Sequence, residues 1–234
     1  MIQLPLSVAL RDDANFDNFF VNGNALLVDK IQQSIGQKTT DGVIFFWGEN
    51  ASGKTHLLQA ICDKAAKSNL EAAYIPLGAS QELDVGILEG LASYDVVCID
   101  DIDSISGQMV WEKSLFSLYN RALDNNTQMY FTATHSVKEI LFQLADLSSR
   151  LTWGFVFHLQ ALADEEKPMA LQAHAKGRGF DMPDNVAAYL LNHYPRDMNA
   201  LSDLLEKLDT ATLAAQRKLT VPFVKQWLAT QSVL

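Results

Sequence analysis

The sequence has two cysteines, 18 basic residues against 28 acidic ones, and no apolar run long enough to cross a bilayer. Each shortage excludes something. Cys62 and Cys98 lie in apolar segments without metal-ligand spacing, and the five histidines are scattered, so a reduced chain with no disulfide framework and no structural metal is expected. A formal net charge of -10 repels phosphate on average. That argues against direct binding to extended duplex DNA and for an indirect route to any nucleic acid. The opening residues show no basic leader, no long apolar core and no small-residue cleavage site, so a cytoplasmic location is expected. Internal repeats and low-complexity tracts are also missing.

What is present is apolar material: 48% of 234 residues, enough to bury one large domain or a large and a small one. From about Gly42 to Leu159, short β-rich apolar runs alternate with longer amphipathic ones. The strands read as "VIFFW", "AAYIPL", "DVVCID", "QMYFTAT" and "FVFHL", and the intervening "WEKSLFSLYNRAL" puts Trp111, Leu115, Leu118 and Ala122 on one helical face. This is the pattern of an α/β domain, a parallel sheet flanked by helices. Beyond Ala163 only helical periods remain, as in Met198, Leu201, Leu205 and Leu208. A small all-helical domain is therefore expected from near Asp164, with the Asp164 carboxylate as a candidate cap and Pro168 in the first turn.

"VIFFW" runs directly into "GENASGKTHLLQAIC", in which Gly48 to Thr55 match the phosphate-binding loop GxxxxGK[ST]. Small residues at this spacing let backbone N–H groups curl around phosphate oxygens at a helix N-terminus. Gly48, Asn50, Ala51, Ser52 and Gly53 form the loop, and His56 follows it. Lys54 is the candidate for neutralising the β and γ phosphates, and Thr55 for holding Mg2+. Such a loop needs a second acidic strand. "DVVCIDDID" supplies Asp100, assigned to the metal, and Asp101, assigned to the attacking water, with Asp103 read as a solvated loop residue.

On these motifs the sequence resembles the P-loop AAA+ ATPases, and within them the bacterial initiator DnaA and its relatives, over nearly its whole length. The resemblance implies an AAA+ domain followed by a helical lid. "NFDNFFVNGNALLV" is similar to the family's lead-in segment, so Phe16, Phe19 and Val21 are candidates to lie against the nucleotide base; the plain alternative is that they pack the core. Thr134, in "QMYFTATHS", falls at the position whose polar residue reaches the γ-phosphate, although initiators often carry an acidic residue there. "LSSRLTWGF" is similar to the segment carrying the arginine finger, which makes Arg150 the matching residue; the alternative is an arginine that caps or pairs locally. In the lid, the family's second-sensor arginine falls at Asn199, which cannot neutralise a phosphate, and Arg196, three residues earlier, either substitutes or is solvated. Weak hydrolysis in cis, or stable holding of a spent nucleotide, is the implied behaviour.

Initiators of this family continue past the lid into a helix-turn-helix domain, whereas this sequence stops at Leu234, so a relative that does not read the origin itself is expected. The opening "QLPL" resembles the short motif that docks into the bacterial sliding clamp. Gln3 would bond at the rim of an apolar pocket while Leu4 and Leu6 bury their side chains and Pro5 limits the entropy lost. Together with "SRLTWG" and "AQRKLTVPFVK", this points to the branch of regulatory inactivators of DnaA. The resemblance implies ADP (or ATP) and Mg2+ as cofactors, and DnaA and the β clamp of DNA polymerase III as partners. It also implies contact with DNA only through the clamp, and association with the nucleoid. The expected division is a tether over residues 1–12, the AAA+ domain over 13–163 and the lid over 164–234. A homodimer or larger oligomer stays open, as do a stand-alone nucleotide hydrolase and a helicase loader.

Overall fold

A computed structural model describes residues 14–21, 23–37 and 43–231 of the chain. Gln3, Leu4 and Leu6 lie outside the described residues. Two compact units divide the rest: one ends at Ala161, and the other begins at Leu162 and also takes in Asp17–Phe20.

The first unit runs α1 (Ala25–Ser34), β1 (Val43–Trp47), α2 (Lys54–Lys67), β2 (Ala72–Pro76), β3 (Val96–Asp100), α3 (Met109–Asn125), β4 (Gln128–Ala133), α4 (Ala145–Leu151) and β5 (Phe155–His158), with short 3-10 turns between β2 and α3. All strand pairs are parallel, in the order β2-β3-β4-β1-β5. The three central strands are buried almost throughout, which is why they read as unbroken apolar runs. The edge strands β2 and β5 alternate between more and less buried positions, as half-covered strands must. Apart from β1, each strand is one residue shorter than the sequence pattern suggests.

Helices cover this sheet because their apolar residues recur at helical spacing. Trp111, Leu115, Leu118 and Ala122 of α3 are all buried, joined by Tyr119. The helix ends where Asn126 takes a left-handed conformation (φ 58°) that directs its N–H back to the Ala122 and Leu123 carbonyls. Cys62 on α2 and Cys98 on β3 are both buried and unbridged. Burial pushes the Cys98 thiol well above its ordinary range, so it sits there as a small apolar side chain.

The second unit is helical: α5 (Lys167–Gly177), α6 (Asp184–His193), α7 (Met198–Ala215) and α8 (Val221–Gln231). Its core gathers Leu171, Val186, Leu190, Leu201, Leu205, Leu208 and Val224. Pro168 occupies the first turn of α5, where its missing N–H costs no helical bond. Asp164 does not cap that helix. Glu166 stands at the cap position and accepts the Ala163 N–H (2.9 Å), while Asp164 pairs with Lys167 (2.7 Å) and with Arg196. No helix among the described residues is long and apolar enough to cross a membrane.

Close backbone approach at the start of β5 yields a test. A Cβ on Gly154 would lie 2.2 Å from the Val43 carbonyl oxygen, an atom held in the sheet. Gly154→Ala is expected to destabilise the protein by about 1–3 kcal/mol through forced separation of β1 and β5. A urea midpoint equal to wild type would disprove that steric account.

Candidate functional site

The loop from Gly48 to Gly53 joins the end of β1 to the start of α2. Ala51 (φ 61°) and Gly53 (φ 102°) take left-handed conformations, the second readily accessible only to glycine, and together they curl the backbone into a concave turn ahead of the Lys54 N-terminus of α2. Gly48 has no room for a side chain, because a Cβ would stand 2.4 Å from the Leu159 carbonyl oxygen and 3.0 Å from Ser52 Oγ. Ser52 Oγ is buried with no hydrogen-bond partner among the described residues. A buried hydroxyl left unpaired is costly, and an oxyanion in the turn would satisfy it. Lys54 is 6% exposed and its amine donates to the Gly48 (3.0 Å) and Glu49 (3.2 Å) carbonyls, so a cation is held at the mouth of the same turn. These donors fit phosphate.

The acidic end of β3 lies beside this loop. Thr55 Oγ1 donates to Asp100 Oδ2 at 2.7 Å, bringing together the two groups the sequence proposes for Mg2+. Tyr74 of β2 donates to the same oxygen at 2.8 Å, and Thr132 of β4 donates to Oδ1. Asp100 is therefore gripped by three hydroxyl groups from three elements. Tyr74 and Thr132 escaped the sequence reading. A polar residue inside the doubly buried strand "QMYFTA" was a usable signal for Thr132, since it must find a partner there. Nothing local marked Tyr74.

Asp101 follows in a left-handed conformation (φ 53°), its N–H bonded to Thr132 Oγ1 at 3.0 Å. Burial, and then the charges of Asp100 and Asp103, raise its carboxyl to about 6, with Lys54 acting in the opposite direction. Asp103 differs from the solvated residue expected. Its side chain is 17% exposed, accepts the Thr134 N–H (3.0 Å) and lies 3.5 Å from His135 Nδ1. It thereby fastens Thr134, just past β4, to the segment after β3. The Gly48 N–H completes the join by donating to the Ala133 carbonyl (3.1 Å).

The remaining candidates are dispersed. His56 uses Nε2 on the Asn15 carbonyl (2.9 Å), which fastens the lead-in segment to α2. The Phe16 ring has Lys64 Nζ 5.6 Å from its centroid. Phe16 and Val21 belong to the first unit and Phe19 to the second. Arg150 is partly exposed near the end of α4, with its guanidinium 4.6 Å from the ring centroid of Trp153, itself 72% exposed. Among the described residues Arg150 forms no ion pair. In the helical unit, Arg196 is engaged: it pairs with Asp164 and donates from Nε to the Leu191 carbonyl (3.3 Å). The hydrogen bond from Lys167, followed by that from Arg196, holds the Asp164 carboxyl below its ordinary value. Asn199 lies in α7, and its side chain is outside the described residues.

Comparison with known proteins matches the bacterial DnaA ATPase domain family over residues 10–158 and the Hda lid domain family over residues 164–228. An uncharacterized protein of Haemophilus influenzae is 39% identical over 227 residues, covering 97% of this chain and 98% of its own. Among solved structures, domain III of the Thermotoga maritima replication initiation protein DnaA is similar with a TM-score of 0.73 at 19% identity, covering 92% of this chain and 95% of that one. AMPPCP-bound DnaA from Aquifex aeolicus is similar with a TM-score of 0.67 at 21% identity over 82% of this chain. The chain spans only 63% of that longer protein.

The raised Asp101 carboxyl has a pH signature. Its folded value, about 6, lies above the unfolded value near 3.9, so between these limits the folded state binds more protons and its stability falls as pH rises. Without nucleotide or metal, wild type is expected to lose stability relative to Asp101→Asn between about pH 4 and pH 7. Urea unfolding of both proteins across that range checks this, and a stability difference independent of pH would refute it.

Proposed function

Because this chain belongs to the bacterial DnaA ATPase family and carries an Hda-type lid, we propose that it regulates replication initiation. Specifically, it promotes hydrolysis of ATP bound to the initiator DnaA and acts together with the sliding clamp on DNA. The observation that carries this reading is Arg150: a guanidinium on a short helix, stacked on an exposed tryptophan and without an ion pair among the described residues. Such a group is available to a nucleotide held by another molecule.

The roles follow from the chemistry of each group. The Gly48–Gly53 turn offers N–H donors and the Ser52 hydroxyl to phosphate oxygens, and Lys54 offsets their charge. Thr55 and Asp100 would hold Mg2+, which when bound supplies charge neutralisation between the phosphates. Phe16 and Val21, with Phe19, are assigned to the base. Thr134 is assigned to sensing the terminal phosphate, and Asp101 to orienting a water. Arg196 is held by Asp164, and Asn199 carries no charge, so the lid supplies less cationic help than a second-sensor arginine would. That favours a resident ADP that is held rather than turned over.

On DnaA, water adds to the γ-phosphorus, the bond to the bridging oxygen breaks, and ADP and phosphate leave. Arg150 laid against the γ-phosphoryl oxygens stabilises the charge of that transition state, an effect worth about 10³ to 10⁵ in rate where arginine fingers act. Residues 1–12 form the tether, with Gln3, Leu4 and Leu6 docking the clamp; 13–163 form the AAA+ domain and 164–234 the lid. The excess of 28 acidic over 18 basic residues suits a protein whose contact with DNA is supplied by the clamp.

The test follows ATP on DnaA in the presence of this protein, ADP and clamp loaded on DNA, with each component omitted in turn. Hydrolysis is expected to require all of them. Arg150→Ala is expected to keep clamp binding and lose stimulation, and deletion of residues 1–6 to lose both clamp binding and stimulation. Normal stimulation by Arg150→Ala would remove Arg150 from the finger role, and substantial turnover by the isolated chain would favour a stand-alone hydrolase.

A further inference from the structure

The helix that presents Arg150 is seven residues long, too short to hold itself in place in water. Leu147 and Leu151 anchor it to the core, and non-directional apolar contact is supplemented by hydrogen bonds. Both ends are held by α3. Glu112, fully buried in the first turn of α3, accepts the Gly107 N–H on Oε1 (2.8 Å) and the Leu144 N–H on Oε2 (2.7 Å). Leu144 is the residue immediately preceding α4. Gln143 reinforces the join by donating from its amide to the Gly107 carbonyl (2.9 Å). At the other end, the Tyr119 hydroxyl donates to the carbonyl of Arg150 itself (2.9 Å). Glu112 and Tyr119 are seven residues apart on α3, two helical turns, so they fall on one face.

A buried carboxylate serving only to cap its own helix would need one of these bonds. The second reaches 32 residues along the chain to the one segment whose position decides where Arg150 starts. From this double attachment we infer that Glu112 is a positioning residue for Arg150, setting the register of α4 from one end while Tyr119 sets it from the other. This rests on the finger reading of Arg150 given above. The energetic reason for such a device is that a guanidinium acting in trans gains its effect only when delivered to within a fraction of an ångström, and a misplacement of 1 Å costs about a hundredfold in rate.

Glu112→Gln keeps the shape of the side chain and one acceptor, but turns an NH2 group toward the other N–H. With DnaA, clamp, DNA and ADP present, the rate of hydrolysis at saturating concentration is expected to fall about tenfold or more. The concentration giving half the effect, and the protein's own affinity for ADP, are expected to stay at wild-type values. In an Arg150→Ala background the same substitution should cost nothing further, because it acts through the missing guanidinium. Hydrogen exchange should show faster exchange at Leu144 and along α4, with the phosphate loop unchanged. A merely structural role would lower ADP affinity and would still act in the Arg150→Ala background; either result overturns the inference. Full activity of Glu112→Gln beside an inactive Arg150→Ala overturns the inference alone, whereas full activity of Arg150→Ala overturns the functional reading and the inference with it. If Glu112→Gln does not fold, Tyr119→Phe removes a single hydroxyl and is expected to lower the saturated rate about threefold, again only when Arg150 is present. Wild-type rate in Tyr119→Phe would then overturn the inference.

Discussion

Asp100 is the point on which the first unit turns. A carboxylate 2% exposed at the end of a central strand is expensive unless its oxygens are occupied, and here three hydroxyls occupy them. Those hydroxyls come from β2, from the first turn of α2 and from β4. The satisfaction of one charge thus fixes the order in which the phosphate loop and the strand ends meet. Thr132 extends the arrangement by accepting the Asp101 N–H, and Asp103 by accepting that of Thr134. The ends of β1, β3 and β4 are held as a single polar surface at the carboxyl edge of the sheet, where open parallel sheets bind their ligands.

The chain makes two different uses of cations. Lys54 is sequestered, its amine tied to loop carbonyls close to where phosphate oxygens would come. Arg150 is displayed, its planar guanidinium over an exposed indole that does not neutralise it. A guanidinium committed to a carboxylate would have to break that pair before reaching a phosphate. Arg196 shows that situation in the helical unit, where Asp164 and the Leu191 carbonyl already engage it. Asn199 carries no charge, and Arg196 is already engaged.

Much of this was legible beforehand. The central strands read as strands because burial on both faces demands unbroken apolar runs, and α3 read as a helix because Trp111, Leu115, Leu118 and Ala122 recur at its period. The phosphate loop was visible because its backbone needs small residues in a fixed order. The misreadings share a cause. The sequence reads Asp103 as a solvated residue and Asp164 as a candidate helix cap, since from sequence alone a carboxylate beside a turn or a helix start has only local partners to choose from. Each instead found a partner about 30 residues away, Thr134 in one case and Arg196 in the other.

The sequence by itself determined the local chemistry: which segments are strands and helices, where a phosphate could be cradled, and which charges are available. Tertiary structure alone decided which of those groups meet. Tyr74 reaches Asp100 across 26 residues, Thr132 reaches it across 32, and Glu112 reaches the segment ahead of the Arg150 helix across another 32. Local pattern depends on near neighbours and survives in any window of the chain. These pairings depend on strand order and on the path of each crossover, which no window contains.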